Sequence, residues 1–405
     1  MPERPGVLVL MGSGETSPTM VEVHRSVVRR LGRSPRALLL DTPYAFQENA
    51  ADISARARRY FADSVGVAVQ EASGAGALVD ADWVFSGPGS PTYALDHWRG
   101  TEVGAALRAR VGARAGATVL ASAAACTAGV VAVPVYEIYK VGAEPHWREG
   151  LDLLSALGLS VAVIPHYDNA EGGTHDTRYC YLGERRLSQM ERELPEEVAV
   201  LGIDEHTAVL IDLLAETVTV RGRGTLTVRR RGAHTVFPAG AVLGLAELRE
   251  LAKGVTGFLA GGERPATPVA PAGQDESAAT LAESVRRCES RFDAATGCGD
   301  ADALGEAVLE LEAEITRWAA DTEEDEGGVE QARAVLRHLV TRLGRMADLS
   351  SPRERLAPLV DPLVALRGRL REQGAYETAD AVRDALAAGG VQIEDTAQGP
   401  RWTVT

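Results

Sequence analysis

The chain is poor in lysine and carries no long apolar run. Of its 42 basic residues only Lys140 and Lys253 are lysines, a bias typical of a GC-rich genome and not of a binding patch. The net charge of −15 disfavours nonspecific binding to nucleic acid or to an anionic membrane surface. Because no stretch of 18 apolar residues and no charged-then-apolar leader is present, we expect neither membrane insertion nor secretion.

Cysteine is also scarce. Cys126, Cys180, Cys288 and Cys298 show no paired-ligand spacing, and scattered thiols in a chain of this length suit a reducing compartment. We therefore predict a cytoplasmic protein with no cofactor. The length of 405 residues exceeds that of one ordinary domain, and it allows an α/β core of about 250 residues plus a second unit of about 120.

Apolar strands alternate with amphipathic stretches in the first part of the chain. Strands are predicted at 6–11, 36–41, 66–70, 82–86, 116–121 and 160–164. The helical stretches between several of them favour an α/β fold with a mostly parallel sheet and helices on both faces. From 208 to 237 the apolar period changes to two, with a glycine-marked turn, which predicts an antiparallel edge.

Composition divides the chain into three regions. Residues 1–258 form the predicted α/β domain, and 259–278, with three prolines and no periodicity, form a predicted linker. Residues 279–405 are predicted to form a helical bundle that ends in a small hairpin holding Trp402. Apolar residues recur at helical spacing over 304–320, 329–347 and 356–373.

The run from Val119 to Gly129 carries the first chemical signal. An apolar strand ends in Ser122, which is followed only by small residues. Such a strand-to-helix turn exposes a serine oxygen to a substrate carbonyl. Close packing of a helix on a strand is the structural alternative.

A histidine and a carboxylate complete a possible triad. The strand 160–164 ends in Pro165-His166, which places His166 at a carboxyl end, where open α/β sheets bind ligands. Glu137 lies between Ser122 and His166, so the three follow the order nucleophile, acid, base. The structural alternatives are a capped histidine and a surface glutamate paired with Lys140.

The segment 166–176 also permits a metal hypothesis. It contains two histidines and several carboxylates at short spacing, ligands that suit zinc or manganese. A Gly-Gly turn interrupts it and no third histidine stands at helical spacing, so we predict no metal site.

These motifs resemble the dipeptidase E and cyanophycinase-like serine peptidases, which share the class I glutamine amidotransferase-like fold. The family motif Ser-Ala-Gly-Ala corresponds to 122–125, and Pro-His-Phe corresponds to 165–167. A glycine-rich strand end corresponds to 85–90, and Gly-Ile-Asp-Glu-x-Thr-Ala corresponds to 202–208. The resemblance spans about residues 5–255.

The resemblance implies acyl transfer on a short peptide or amide. Ser122 would attack the carbonyl with His166 as general base, and the N–H groups of Gly89 and Ala123 would hold the oxyanion. Substrate contacts are expected from Gly14, Glu15, Ser90, Asn169, Arg178 and Arg185. The two arginines are placed to grip a carboxylate, unless Glu184 and Glu191 pair with them.

Two departures from the family pattern and one nearby cysteine leave alternatives open. The family usually has glycine at the entrance to the nucleophile elbow, the strand-to-helix turn that carries the serine, and this chain has Leu120-Ala121 there. Ala124 stands where the family has glycine, and a Cβ in a strained turn favours a relaxed or reshaped elbow. Cys126 lies in Ala-Ala-Cys-Thr-Ala, a diluted form of an amidotransferase elbow, and is the alternative nucleophile. A buried, small apolar role for this cysteine is the simpler interpretation.

Residues 376–402 resemble the C-terminal end of cysteinyl-tRNA synthetases. The matching motifs are Ala379-Asp-x-x-Arg-Asp-x-Leu and Glu394-Asp-Thr-x-x-Gly-x-x-Trp402. In those enzymes this region contacts tRNA, so the resemblance implies a cysteine-type tRNA as partner. Residues 280–405 hold 15 arginines against 24 acidic residues, which favours the alternative of a docking or homodimer-forming module.

Two classes of function follow. The first is a serine hydrolase or acyl transferase whose C-terminal module recruits the substrate or a tRNA. The second is a catalytically weakened binding protein, disabled at Ala124, in which the C-terminal module docks tRNA or a protein partner. A membrane partner is expected for neither.

Overall fold

The computed structural model describes residues 6–32, 34–172, 175–255, 279–319, 321, 328–346, 352–396 and 399–404. The predicted linker 259–278 lies outside the described residues. The chain divides into two compact units, Met1–Leu336 and Arg337–Thr405. The first helices after the predicted linker therefore belong to the same unit as the α/β part. None of the helices in these ranges is long and apolar enough to cross a membrane.

Sixteen strands are present in the described residues, and those predicted from the sequence are found within a few residues of the expected bounds. In chain order they are β1 (Val7–Met11), β2 (Ala37–Leu39), β3 (Val69–Glu71), β4 (Trp83–Ser86), β5 (Ala117–Ala121), β6 (Val131–Ala132), β7 (Arg148–Glu149), β8 (Val161–Ile164), β9 (Ala199–Ile203), β10 (Thr207–Asp212), β11 (Thr217–Gly222), β12 (Thr225–Arg230), β13 (Ala233–Pro238), β14 (Val242–Gly244), β15 (Val391–Thr396) and β16 (Gly399–Val404).

The α-helices of the described residues separate the strands of the first part and dominate the last part. They are α1 (Val21–Arg30), α2 (Ala50–Tyr60), α3 (Ala75–Asp80), α4 (Pro91–Trp98), α5 (Glu102–Gly112), α6 (Ser122–Cys126), α7 (Val135–Tyr139), α8 (Gly183–Glu191), α9 (Leu245–Lys253), α10 (Leu281–Cys298), α11 (Ala301–Trp318), α12 (Gly328–Met346), α13 (Pro352–Glu372) and α14 (Tyr376–Ala388).

The first sheet has eight strands in the order β14-β11-β10-β1-β5-β4-β2-β3. The strands from β1 to β3 along this order are parallel, whereas β10, β11 and β14 are antiparallel. Every residue of β1 is buried, because both faces of the sheet are covered. Leu8 and Leu10 pack into one apolar core, and Val7 and Val9 pack into the other, as the two-residue period of a strand requires.

A second sheet of six strands, β13-β12-β9-β8-β6-β7, lies within the same unit. The sequence predicted a single sheet that included residues 160–164, but β8 pairs with β9 and β6 instead. Apolar periodicity identifies strands and does not identify their partners, so the division into two sheets was not predictable. The overall class is as expected, with mixed α/β sheets followed by helices and a terminal hairpin.

The unit 337–405 has its own small core around the terminal hairpin. Val360 and Val364 of α13 pack with Val391 and Trp402 of β15 and β16. The indole Nε1 of Trp402 donates to Oδ1 of Asp361 at 2.8 Å. The predicted hairpin holding Trp402 is therefore present.

Candidate active site

Ser122 stands at the turn between β5 and α6. Its backbone φ is 46°, in the left-handed region that costs a non-glycine residue about 1–3 kcal/mol. Such an outlier at a strand-to-helix turn is characteristic of a presented nucleophile. The following residues Ala123, Ala124 and Ala125 are at most 5% exposed, so their small side chains let α6 pack directly behind the serine.

Alanine at position 124 is compatible with this turn. Ala124 lies inside α6, and its N–H donates to the carbonyl oxygen of Gly87 at 3.2 Å. The left-handed residue of the turn is Ser122 and not Ala124, so position 124 does not require glycine's conformational freedom. Its methyl group is part of the buried core.

His166 is the hydrogen-bond partner of the serine. The Oγ of Ser122 lies 2.9 Å from Nε2 of His166, within normal hydrogen-bond distance. His166 follows β8 with a φ of 47°, a second left-handed residue in the same site. Its side chain is 16% exposed, which leaves access for a substrate while excluding most bulk water.

The carboxylate that orients His166 belongs to Glu205. Oε1 of Glu205 lies 2.9 Å from Nδ1 of His166, and the amide of Asn169 donates to the same oxygen at 2.9 Å. With the proton on Nδ1, Nε2 is left to accept from Ser122. Burial alone would raise the pKa of Glu205, but the hydrogen bond from His166, the imidazole charge and Asn169 outweigh it, so this pKa lies below its usual value.

The topology of the second sheet explains why Glu205 lies next to His166. Ile164 of β8 and Gly202 of β9 are register partners in parallel strands. His166 and Glu205 therefore leave neighbouring strands at the same carboxyl edge. The backbone N–H of Glu205 also donates to Oδ1 of Asp168 at 2.7 Å, which fixes the loop that carries the glutamate.

The expectation for Glu137 is corrected by this geometry. Oε2 of Glu137 accepts a hydrogen bond from Thr92 at 3.0 Å, whereas the Nδ1 position of His166 is taken by Glu205. Glu137 lies on the short α7 and bonds to Thr92 of α4, whereas Glu205 follows β9 and reaches the imidazole. The sequence held a signal for this residue, because the Gly202-Ile-Asp-Glu205 element was recognised without a role.

Gly89 and Ala123 were the expected oxyanion donors. Gly89 has a φ of 127°, and a Cβ on it would lie 2.1 Å from the carbonyl oxygen of Pro43, so only glycine fits there. Gly89 lines the same cavity as Ser122 and His166. Ala123 is the second residue of α6, and the first N–H groups of a helix have no acceptor within that helix.

The structure gives the expected substrate residues other partners. Asn169 serves Glu205, and Ser90 caps α4 by accepting from the N–H of Tyr93 at 3.1 Å. Glu15 is fully buried. Gly14 approaches the ring of His206 so closely that a Cβ would lie 2.1 Å from its Nδ1.

Arg178 and Arg185 are not among the residues that line the cavity. Arg178 donates from Nε and Nη2 to the carboxylate of Asp176, at 2.9 Å each. This fork holds the pKa of Asp176 well below its usual value. Arg185 is an exposed residue of α8. The two arginines from which a contact with a substrate carboxylate was expected therefore lie outside the cavity that Ser122 and His166 line.

Cys126 is placed as a buried core residue. Its side chain is 1% exposed, and Sγ lies 3.7 Å from the carbonyl oxygen of Val133. Burial raises the pKa of the thiol to about 12, so almost no thiolate, the nucleophilic form of cysteine, is present at neutral pH. The arrangement favours Ser122 as the elbow nucleophile.

A cavity of about 560 Å³ opens above Ser122 and His166. Its volume lies in the range of pockets for small organic ligands. Its lining combines residues from the α/β part with residues from α10, α11 and the start of α12. In the part of the chain that the structure describes, no group of three or more His, Cys, Asp or Glu side chains is arranged to hold a metal ion.

Comparisons with known proteins fall into two groups, one for each part of the chain. No protein-family model matches. The C-terminal part is similar to the cysteine–tRNA ligase of Symbiobacterium thermophilum, with 35% identity over 131 residues that cover 31% of this chain and 26% of that protein. The ligase of Thermococcus onnurineus is 29% identical over 133 residues, which cover 32% of this chain and 28% of that protein. The chain thus spans about a quarter of the length of these relatives.

The similar solved structures concern the N-terminal region. A peptidase from an acI-B1 Actinobacterium has a TM-score of 0.49 and 20% identity, over 59% of this chain and 97% of that one. A candidate peptidase E from Listeria monocytogenes EGD-e has a TM-score of 0.38 and 14% identity, over 54% of this chain and 98% of that one. Both groups are those that the sequence motifs resemble.

Proposed function

We propose that the chain is a serine hydrolase or acyl transferase acting on a short peptide or amide. The observation that carries the proposal is the continuous hydrogen-bond chain from Ser122 through His166 to Glu205, with 2.9 Å at each step. A nucleophile bonded to a base, which is itself oriented by a carboxylate, is the arrangement that acyl transfer requires.

The reaction follows from the position of each group. The Oγ of Ser122 attacks the carbonyl carbon while Nε2 of His166 takes its proton, and Glu205 stabilises the imidazolium that forms. The N–H groups of Gly89 and Ala123 donate hydrogen bonds to the carbonyl oxygen as negative charge develops on it. His166 then returns the proton to the leaving amine as the C–N bond breaks. Water or another nucleophile then attacks the acyl carbon while Nε2 of His166 takes its proton. The proton passes to Oγ of Ser122 as the bond between Oγ and the acyl group breaks.

Turnover of a mixture of short peptides and their amides, followed by mass spectrometry, tests this proposal. We expect product formation by the wild-type chain and a loss of at least about a thousandfold in Ser122→Ala, as deletion of a triad member produces. Cys126→Ala is the matched control and retains turnover. Full activity in Ser122→Ala, with loss in Cys126→Ala, would transfer the role to the cysteine.

We further propose that the unit 337–405 binds a cysteine-type tRNA. Two observations support this: the similarity of the C-terminal part to cysteine–tRNA ligases, and the distribution of charge. Residues 337–405 contain ten arginines and nine carboxylates, so the acidic excess of the region lies before this unit. Filter binding of the full chain at low salt should show a preference for cysteine tRNA over an unrelated structured RNA. Equal binding of both would leave a docking or homodimer-forming role.

The same proposal places the protein in the cytoplasm, where tRNA is available. All four cysteines are free thiols, which suits a reducing compartment.

A further inference from the structure

The helical segment after the predicted linker builds one wall of the catalytic cavity. Ser122 and His166 line the same cavity. The wall that this segment supplies comes from the N-terminal half of α10, the end of α11 and the first turns of α12. Its main contributors are Leu281, Val285, Arg286, Trp318, Ala332 and Val335.

This wall is fastened to the α/β part by polar contacts on two sides. The hydroxyl of Thr16 donates to Oδ1 of Asp321 at 2.7 Å. On α10, Glu283 accepts from Nη2 of Arg223 at 2.7 and 2.9 Å. All these residues belong to the same compact unit, so the wall is part of one folded body with the catalytic residues.

A ring contact brings the wall next to the catalytic carboxylate. The indole of Trp318 packs edge-on against the imidazole of His206, with 5.8 Å between ring centroids. His206 directly follows Glu205 in the loop from β9 to β10. A substrate that reaches Ser122 therefore enters a cavity that residues of the helical segment also line.

The carboxylates that line the cavity are engaged by neighbours. Glu205 accepts from Asn169 and pairs with His166, and Glu171 accepts from the hydroxyl of Tyr181 at 2.8 Å. Asp321 accepts from Thr16. Each of these carboxylates thus already accepts a hydrogen bond from a neighbouring side chain.

Two cations also line this cavity, Lys140 from the end of α7 and Arg286 from α10. No carboxylate in the described ranges forms an ion pair with either of them. Lys140 lies 5.0 Å from the ring centroid of Tyr136, and Arg286 is an exposed side chain. A guanidinium at the lining of a cavity can bind a carboxylate through two parallel hydrogen bonds.

We propose that the helical segment confers substrate selectivity on the serine site, with Arg286 binding a free carboxylate on the substrate and Lys140 supporting the interaction. This inference rests on the proposed acyl-transfer function. The cation expected at Arg178 is thereby supplied by a helix outside the α/β part. The substrate class is a short peptide or amide that fits about 560 Å³, bears a carboxylate and contacts the apolar surface of Leu281, Val285 and Trp318.

A pair of fluorophosphonate probes tests the inference. The two probes have tails of equal length, one ending in a carboxylate and the other in the corresponding carboxamide, and the rate of Ser122 labelling is measured for each in the full chain. We expect the carboxylate probe to react about tenfold faster with the wild type, the ratio that one charge-assisted hydrogen-bonded pair supplies. In Arg286→Ala the two rates become equal, and Arg286→Lys keeps part of the preference.

Arg287→Ala is the matched control for the neighbouring position. Arg287 does not line the cavity, and its Nε donates to Glu310 at 3.1 Å, so its removal leaves the probe preference unchanged. Equal rates in the wild type, or a preference that persists in Arg286→Ala, would overturn the inference while the serine remains reactive. Failure of both probes to label Ser122 would instead reject the serine nucleophile, and the inference with it.

Discussion

Glu205 and His166 share a 2.9 Å hydrogen bond between carboxylate and Nδ1, although 38 residues separate them in the sequence and they follow two different strands. A proton on Nδ1, bonded to this carboxylate, leaves Nε2 to accept the proton of Ser122. In the proposed mechanism the acid of the site is therefore Glu205, which follows β9.

The first prediction compares the two glutamates. We expect Glu205→Gln to lower turnover by about a hundredfold to ten-thousandfold, because an amide at this position no longer stabilises the imidazolium and favours the wrong tautomer. Glu137→Gln is the control and changes turnover by less than about threefold, since Glu137 bonds to Thr92. A larger loss in Glu137→Gln than in Glu205→Gln would return the acid role to Glu137.

The sequence predicted the parts of the site that depend on local pattern. The strand before Ser122 and the strand before His166 were evident from apolar runs, and the small residues after the serine indicated its presentation. Glu205 was not assigned, because its role depends on the register between β8 and β9, and strand partners are not encoded in the apolar period. The contribution of Trp318 to the cavity was also not predictable from the sequence, because its contact with His206 joins residues far apart in the chain.

Arg178 shows how a local partner can engage a side chain that the sequence assigns to the substrate. Several arginines follow His166 in the sequence, and the resemblance assigned Arg178 to a substrate carboxylate. In the structure Arg178 donates instead to the carboxylate of Asp176, two positions earlier in the chain. Sequence spacing shows that a charged side chain is present in this loop. The backbone conformation of the loop decides which group that side chain binds.

The second prediction concerns pH and Asp204. Burial, followed by the negative charge of Asp168, raises the pKa of Asp204 to about 6, even though hydrogen bonds from Thr225 act in the opposite direction. Because this pKa is raised above that of the unfolded chain, Asp204 stabilises the fold below about pH 4, and this contribution is lost as the pH rises through about 6.

The variant Asp204→Asn removes this dependence and keeps an acceptor for Thr225. Between pH 4 and 7 the free energy of unfolding of the wild type should fall relative to that of the variant, by up to about 3 kcal/mol. Urea unfolding at several pH values measures the difference. Parallel curves for the two proteins over this interval would contradict the assignment.

The third prediction concerns the reactivity of the cysteines. Cys126, Cys180 and Cys288 are buried and Cys298 is exposed, and burial raises the pKa of the Cys126 thiol to about 12. Iodoacetamide applied to the native protein should therefore modify Cys298 much faster than the other three. Peptide mapping reads out the modified positions. Rapid alkylation of Cys126 that also abolishes turnover would support the cysteine as nucleophile.

The fourth prediction addresses tRNA binding by the C-terminal unit. Arg369 is an exposed residue of α13, whereas Arg383 is held by Asp380 at 3.5 Å and by Asp384 at 3.4 Å. If Arg369 contacts a phosphate, Arg369→Glu should weaken tRNA binding. A plot of the logarithm of the binding constant against the logarithm of the salt concentration should then fall less steeply, by about one unit of slope. Arg383→Glu should have a smaller effect, because the ion pairs already neutralise this side chain. An unchanged slope in Arg369→Glu would place the interaction elsewhere.

The central claim is that Ser122 is an activated nucleophile, and covalent labelling tests it most directly. The full chain is treated with an uncharged alkyl fluorophosphonate, and the adduct is located by peptide mass spectrometry. We predict one adduct per chain, on Ser122, absent in Ser122→Ala and formed at least about a hundredfold more slowly in His166→Ala, because the base that takes the proton is missing. A wild-type protein that stays unmodified, or one that is labelled equally fast without His166, would contradict the claim and leave a binding protein with an inactive elbow.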